Sequence, residues 1–190
     1  MALGTLAALL TANSLPGASE DLLQLRAFAV NLSGVGRARA DTLDIVVTRW
    51  STDAERAKLR DALVEKGEES LLKAVQDVKP RAGYIRTSRS LGWDIQYARE
   101  TPLPDGGRRI VLATDRPISF AEARTQARSA DYQFLLIEIR LGADGKGEGK
   151  MATAAKIGYN ADTHTIEIEN YGREPVRLTQ VEVVGPKAKK

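Results

Sequence analysis

The spacing of apolar and polar positions changes period twice along this chain, and the changes divide it into strands, then helices, then strands again. Leu25 to Leu32 and Arg37 to Trp50 read as extended segments on either side of Ser33-Gly34-Val35-Gly36, whose glycines supply the positive φ values of a tight connection. Within the second segment Leu43, Ile45 and Val47 alternate with Asp44, Val46 and Thr48, the period of two expected of a strand with one buried face. A first hairpin is predicted here.

Thr52-Asp53-Ala54-Glu55 then matches a capping box, in which the threonine oxygen accepts from the backbone at Glu55 while that carboxylate reaches back. Leu59, Ala62 and Leu63 give the following helix an apolar face and Gly67 stops it. A second helix opens on Glu68-Glu69, where the helix dipole favours acids, and Leu71, Leu72, Val75 and Val78 carry its period on to Pro80. The spacing predicts an αα-hairpin over 52–79 between two strand regions.

From Arg81 onward the period returns to two, and strands are predicted near 82–87, 92–101, 108–114, 132–142, 148–159, 164–171 and 175–184. Their separators carry turn chemistry, as in Pro104-Asp105-Gly106-Gly107, Asp144-Gly145-Lys146-Gly147 and Asn160-Ala161-Asp162-Thr163. The exception is a longer polar connection from Asp115 to Asp131. In segment 132–142, Leu135, Ile137, Ile139 and Leu141 face one way and Phe134 and Leu136 the other, which predicts a central strand. The fold class is therefore α+β, mainly antiparallel β. About eight or nine strands either curl into a barrel or stack as a two-sheet sandwich, with the helix pair covering one open end or face.

Length and composition fit that picture. A chain of 190 residues is one domain by prior, and its 43% hydrophobic and 28% charged residues are near the average for soluble globular proteins. Four of the positive charges, Lys187, Lys189 and Lys190 of the tail and Arg177 beside it, are one more than the net charge of +3, so the rest of the folded body is close to neutral. The absence of cysteine removes disulfides, cysteine-based zinc sites and thiol nucleophiles. Residues 1–19 read as a signal or disordered segment, because the apolar run Ala2 to Leu10 is followed by small residues and Pro16, though no Lys or Arg precedes Arg26. That run is too short to span a bilayer, so no transmembrane segment is expected. The organisation expected is a mainly-β domain over 20–184 and a basic tail over 185–190, in an extracytoplasmic setting, periplasmic or secreted.

No motif identifies a reaction. His164 is the only histidine and stands beside a polar turn, with no Gly-x-Ser-x-Gly elbow anywhere in the chain, so it is expected to do no chemistry. Gly145-Lys146-Gly147-Glu148-Gly149-Lys150 lacks phosphate-loop spacing, and the Asp-Gly pairs lack the spacing of a calcium loop. Glu167 and Glu169 would lie about 7 Å apart on one strand face, a separation a glycosidase could use. Their alternation with Ile166 and Ile168 instead predicts a solvated face opposite Lys150 and Lys156. The mid-chain arginines are expected to keep strands soluble rather than to bind nucleic acid.

One constellation suggests binding. Trp93, Tyr97 and Arg99 fall at alternate positions of one predicted strand, and Tyr84 and Arg86 share a face of the preceding one. Rings offer apolar area and guanidinium groups orient anions, so the five are expected to line a β-cup for a small amphipathic or anionic ligand. No catalytic residue, metal ligand or cofactor is assigned. The expected function is a non-catalytic binding or structural module; the alternative is a hydrolase or isomerase using carboxylate, tyrosine and arginine groups in the same cup.

Arg49-Trp50-Ser51-Thr52-Asp53 leading into Glu55-Arg56, Gly83-Tyr84-Ile85-Arg86-Thr87, the run from Thr101-Pro102-Leu103-Pro104-Asp105-Gly106-Gly107 through Asp115-Arg116-Pro117-Ile118, and Gly145-Lys146-Gly147-Glu148-Gly149-Lys150 resemble a family of uncharacterised bacterial proteins that look exported. The resemblance covers residues 25 to 184 and implies a bacterial extracytoplasmic setting. No activity is known for that family, so the resemblance carries over no functional residue.

Overall fold

A computed structural model of the chain describes residues 21–30, 40–87, 92–115, 135–153, 155–160, 165–171 and 176–185. In chain order the elements are β1 (Leu23–Val30), β2 (Ala40–Val47), α1 (Asp53–Lys66), α2 (Glu68–Gln76), β3 (Gly83–Thr87), β4 (Trp93–Pro102), β5 (Arg108–Thr114), β6 (Leu135–Leu141), β7 (Lys146–Thr153), β8 (Ala155–Asn160), β9 (Thr165–Tyr171) and β10 (Val176–Val183). Of the two architectures the pattern allowed, the chain adopts the barrel. Eight strands close in the order β1-β10-β7-β6-β5-β4-β3-β2, every neighbouring pair antiparallel. Closure is made by β1, which pairs with β2 on one side and β10 on the other.

Eight strands leave an interior just wide enough for side chains to fill, and the period-two pattern fills it. Leu23, Leu25, Leu43, Ile45, Val47, Ile85, Ile110, Leu112, Leu135, Ile137, Ile139 and Leu141 are buried in one cluster with Met151 and Leu178. Where the barrel wall coils tightly, a side chain has no room: a Cβ on Gly83 would stand 2.0 Å from the Val46 carbonyl oxygen. The polarity runs apolar inside and charged outside, with Glu138, Arg140, Glu148 and Lys150 on the outer surface of β6 and β7. A lipid-spanning barrel has the reverse arrangement, an apolar band facing outward. No helix among the described residues is long and apolar enough to cross a membrane.

The helical pair forms where the capping chemistry places it. Thr52 Oγ1 accepts from the Glu55 amide at 3.2 Å and the Glu55 carboxylate accepts from the Thr52 amide at 2.8 Å. Gly67, at φ 81°, ends α1 in a conformation that most side chains avoid, and α2 starts from it. Leu59, Leu63, Leu71, Ala74, Val75 and Val78 bury one another in a second cluster, separate from the barrel core.

Strand 148–159 is not continuous. The chain leaves the barrel after Thr153, and β8 pairs with β9 alone in a separate two-stranded sheet. Glu167 therefore stands opposite Gly158, and Lys156 opposite Asn170. Lys150 stands opposite Glu138 and Arg177, so the expected pairing of Glu167 and Glu169 with Lys150 does not form. His164, residues 1–19, the Ser33–Gly36 connection, residues 116–131 and the lysines of the tail lie outside the described residues.

Ser51 fastens the helices to the wall. Its amide donates to the Ala98 carbonyl at 2.7 Å and its hydroxyl accepts from the Ala98 amide at 3.1 Å, both in a buried setting. Replacing the hydroxyl leaves that amide without its acceptor, so Ser51→Ala should destabilise the protein by about 1–3 kcal/mol. Urea unfolding of wild type and variant measures the difference.

Candidate functional site

Strand β4 decides where the five candidate residues go. Ile95 pairs with Thr114 but Tyr97 pairs with Ala113, so a bulge at Gln96 adds one residue to β4 relative to β5. Before the bulge, Trp93 and Ile95 stand opposite Ile85 and Gly83 on the inward side. After it, the inward position passes to Ala98, fully buried opposite Leu112, and Tyr97 and Arg99 turn outward. The expectation that Trp93, Tyr97 and Arg99 share one face is thus overturned, because alternation holds only while the strand keeps step with its neighbour.

The five residues occupy three environments. Trp93 packs against the aliphatic barrel core. Tyr97 lies against the helical cluster, and burial raises the pKa of its phenol despite the nearby Arg99 charge. Arg99 Nη1 donates to Asp53 Oδ1 at 2.7 Å at the start of α1; that hydrogen bond, with the Arg99 charge, lowers the pKa of Asp53. Tyr84 and Arg86 alone remain together, on the outer face of β3, where Tyr84 stands opposite Asp94 and Val46 and Arg86 opposite Asp44. The Arg86 guanidinium lies 5.0 Å from the centre of the Tyr84 ring and that of Arg81 5.5 Å.

The charges around Tyr84 are unequally satisfied. Arg81 Nη1 donates to Asp94 Oδ1 at 2.6 Å, and the Asp44 carboxylate is taken by Arg26 at 3.1 Å. Arg86 is exposed and forms no ion pair with a described carboxylate. It lies beside an aromatic ring with no carboxylate partner among the described residues.

Two further clusters escape a reading by alternation. Arg49 Nη1 and Nη2 each lie 3.0 Å from a Glu55 oxygen, and Nε donates to the Pro80 carbonyl at 2.9 Å. The capping box marked Glu55 in the sequence, but nothing marked Arg49 as its partner. On the outer side of the bulge, Gln96 is 2% exposed and its Nε2 reaches Asp115 Oδ2 at 3.5 Å. Gln96 Oε1 and Asp115 Oδ1 accept no hydrogen bond among the described residues. No three of His, Cys, Asp or Glu converge as a metal site among the described residues.

Comparison with protein-family models, with curated proteins and with solved structures finds no match for this chain.

Hydrogen bonds from Arg49 lower the pKa of Glu55, against a smaller opposing effect of burial, and the Thr52 amide adds to the lowering. A carboxylate lowered in this way stabilises the folded state above its unfolded pKa and loses that contribution as the pH falls through its folded value. Stability should therefore drop on acidification below the ordinary carboxylate range, and Glu55→Gln should drop less steeply there. Denaturant midpoints taken at a series of pH values check this; parallel acid limbs would contradict it.

Proposed function

We propose that this protein is a non-catalytic binding module of an extracytoplasmic compartment, taking a small anionic or amphipathic ligand on the outer face of β3. The reading is carried by Tyr84, which has two guanidinium groups over its ring, one of them without a carboxylate partner among the described residues. An aromatic surface beside a free guanidinium accepts a carboxylate or phosphate through Arg86 while the ring covers the apolar part of the ligand. The aliphatic packing of the barrel core supports an exterior site over the cup first expected. Asp53, Glu55 and Glu138 have lowered pKa values because arginines hold them, which suits structural ion pairs rather than a general acid at neutral pH.

Titration with benzoate and octanoate, followed by the NMR signals of the Tyr84 ring, tests the site. Saturable shifts are expected, and Arg86→Gln should weaken binding about tenfold, the effect of losing one charge-assisted contact. Binding that is unchanged in Arg86→Gln and Tyr84→Leu overturns the assignment.

The extracytoplasmic setting is supported by the apolar run at 2–10 and the small residues after it. Intact-mass measurement of protein recovered from a bacterial envelope should show a chain lacking that run. Recovery of the uncleaved chain from the cytoplasm would contradict export.

A further inference from the structure

Four strands away from Tyr84 around the ring of eight, on the opposite side of the wall, the outer faces of β6, β7 and β10 enclose a groove of about 360 Å³. It is lined by Glu138, Arg140, Glu148, Gly149, Lys150 and Arg177. Two pairs of like charges meet across strands here, Arg109 opposite Arg140 and Lys150 opposite Arg177. Such directly opposed cations are destabilising unless something bridges them.

The first pair is bridged from within. Arg109 Nη2 donates to Glu138 Oε2 at 3.1 Å, and its Nε lies 3.1 Å from Oε1, within ion-pair reach although not aligned for a hydrogen bond. Arg140 Nε reaches the same Oε1 at 3.3 Å. Burial alone would raise the pKa of Glu138, but the two arginines outweigh it and hold the group ionised.

The second pair has no such bridge. Glu148 approaches Arg177 only at 4.0 Å, with its side chain 75% exposed, and Lys150 makes no ion pair with any described carboxylate. The lining holds three cations, Arg140, Lys150 and Arg177, and two carboxylates, Glu138 and Glu148, so one positive charge is in excess, and Glu138 is already shared by Arg109 and Arg140.

The geometry points to this groove as a binding site for a phosphate monoester, its phosphate seated between Lys150 and Arg177 with Arg140 at the rim. A phosphate seated there does for the opposed cations Lys150 and Arg177 what Glu138 does for Arg109 and Arg140. The site is independent of the Tyr84 face and stands or falls separately.

Calorimetric titration of the full chain with glycerol phosphate, at constant ionic strength, tests the assignment. Saturable binding is expected. Lys150→Gln and Arg177→Gln should each weaken it about tenfold, Lys150→Arg should retain it, and Lys58→Gln, at an exposed position of α1, should leave it unchanged. Circular dichroism confirms that each variant keeps the barrel. A parallel arm with vesicles containing phosphatidic acid separates the sources: binding to vesicles without binding to glycerol phosphate assigns the phosphate to a lipid headgroup. Failure to bind either probe, or equal binding by wild type and the Lys150→Gln/Arg177→Gln double variant, overturns the proposal. Weakening by Arg86→Gln with no effect of Lys150→Gln or Arg177→Gln would move the phosphate to the Tyr84 face and overturn it as well.

Discussion

The bulge at Gln96 is the constraint on which the two halves of the molecule depend. A regular β4 would carry Trp93, Ile95, Tyr97 and Arg99 on one face, with Tyr97 and Arg99 directed into a barrel already filled by Ile110, Leu112 and Ile137. One extra residue lets Ile95 and Ala98, three positions apart, both point inward, so the small Ala98 meets Leu112 and the large polar side chains leave the core. Beyond the bulge the backbone of β4 at Ala98 is taken by Ser51, on the chain that leads into α1. The same residue that keeps the core apolar thereby creates the outer shelf on which Tyr97 meets the helices. The shelf is imperfect, since Gln96 Oε1 and Asp115 Oδ1 find no hydrogen-bond donor among the described residues.

Electrostatics completes the attachment of the helical pair. Arg49 gathers the end of β2, the first turn of α1 and the cis Lys79-Pro80 connection into one cluster by binding Glu55 and the Pro80 carbonyl together. The Arg49 and Glu55 side chains are each about three-quarters buried, and the contact is bidentate. That geometry contributes more than an exposed pair does. Arg99 and Asp53 make a second link, but Asp53 is 87% exposed, so solvent screens most of that attraction. The helices are thus held at one end by hydrogen bonds of differing burial, with Ser51 the most enclosed and Asp53 the least.

Much of the fold was legible because most strands obey simple alternation. Leu43, Ile45 and Val47 on β2 and Leu135, Ile137, Ile139 and Leu141 on β6 are buried as their spacing implies, and the capping box at Thr52 forms with both of its hydrogen bonds. The candidate site was legible only in part, and the reason is physical. Period two assigns faces correctly until a bulge intervenes, and the bulges fall where the assignment mattered: at Gln96, and again in β10, where Leu178 and Val181 both face inward and Gln180 takes a φ of 50°. A signal for both was present, since Ile95-x-x-Ala98 and Leu178-x-x-Val181 each place apolar residues three apart in a strand. Choosing between barrel and sandwich depended on the pairing of β1 with β10, a contact between the two ends of the barrel that local pattern does not encode.

With an aliphatic core inside, the chemistry of the described barrel lies on its outer wall, where arginines and carboxylates sit in cross-strand rows. Most of these charges have partners: Arg26 with Asp44, Arg81 with Asp94, Arg108 with Glu100, and Arg109 and Arg140 with the single carboxylate of Glu138. The pairs exposed on both sides, Arg26 with Asp44 and Arg81 with Asp94, add little to stability, each a few tenths of a kcal/mol. Their effect is to cancel charge locally, so that positive charge is left where a cation has no carboxylate partner among the described residues. Arg86 is one such position, beside an aromatic ring, and Lys150, opposite an Arg177 that only a distant Glu148 approaches, is another, beside a polar groove. The two differ in what they offer, a single guanidinium with apolar cover in one case and paired cations without it in the other. Under the two proposals a planar carboxylate with an apolar body goes to the first and a compact phosphate to the second, so selectivity between the two faces would follow from charge count and ring contact rather than from the shape of an enclosed cavity.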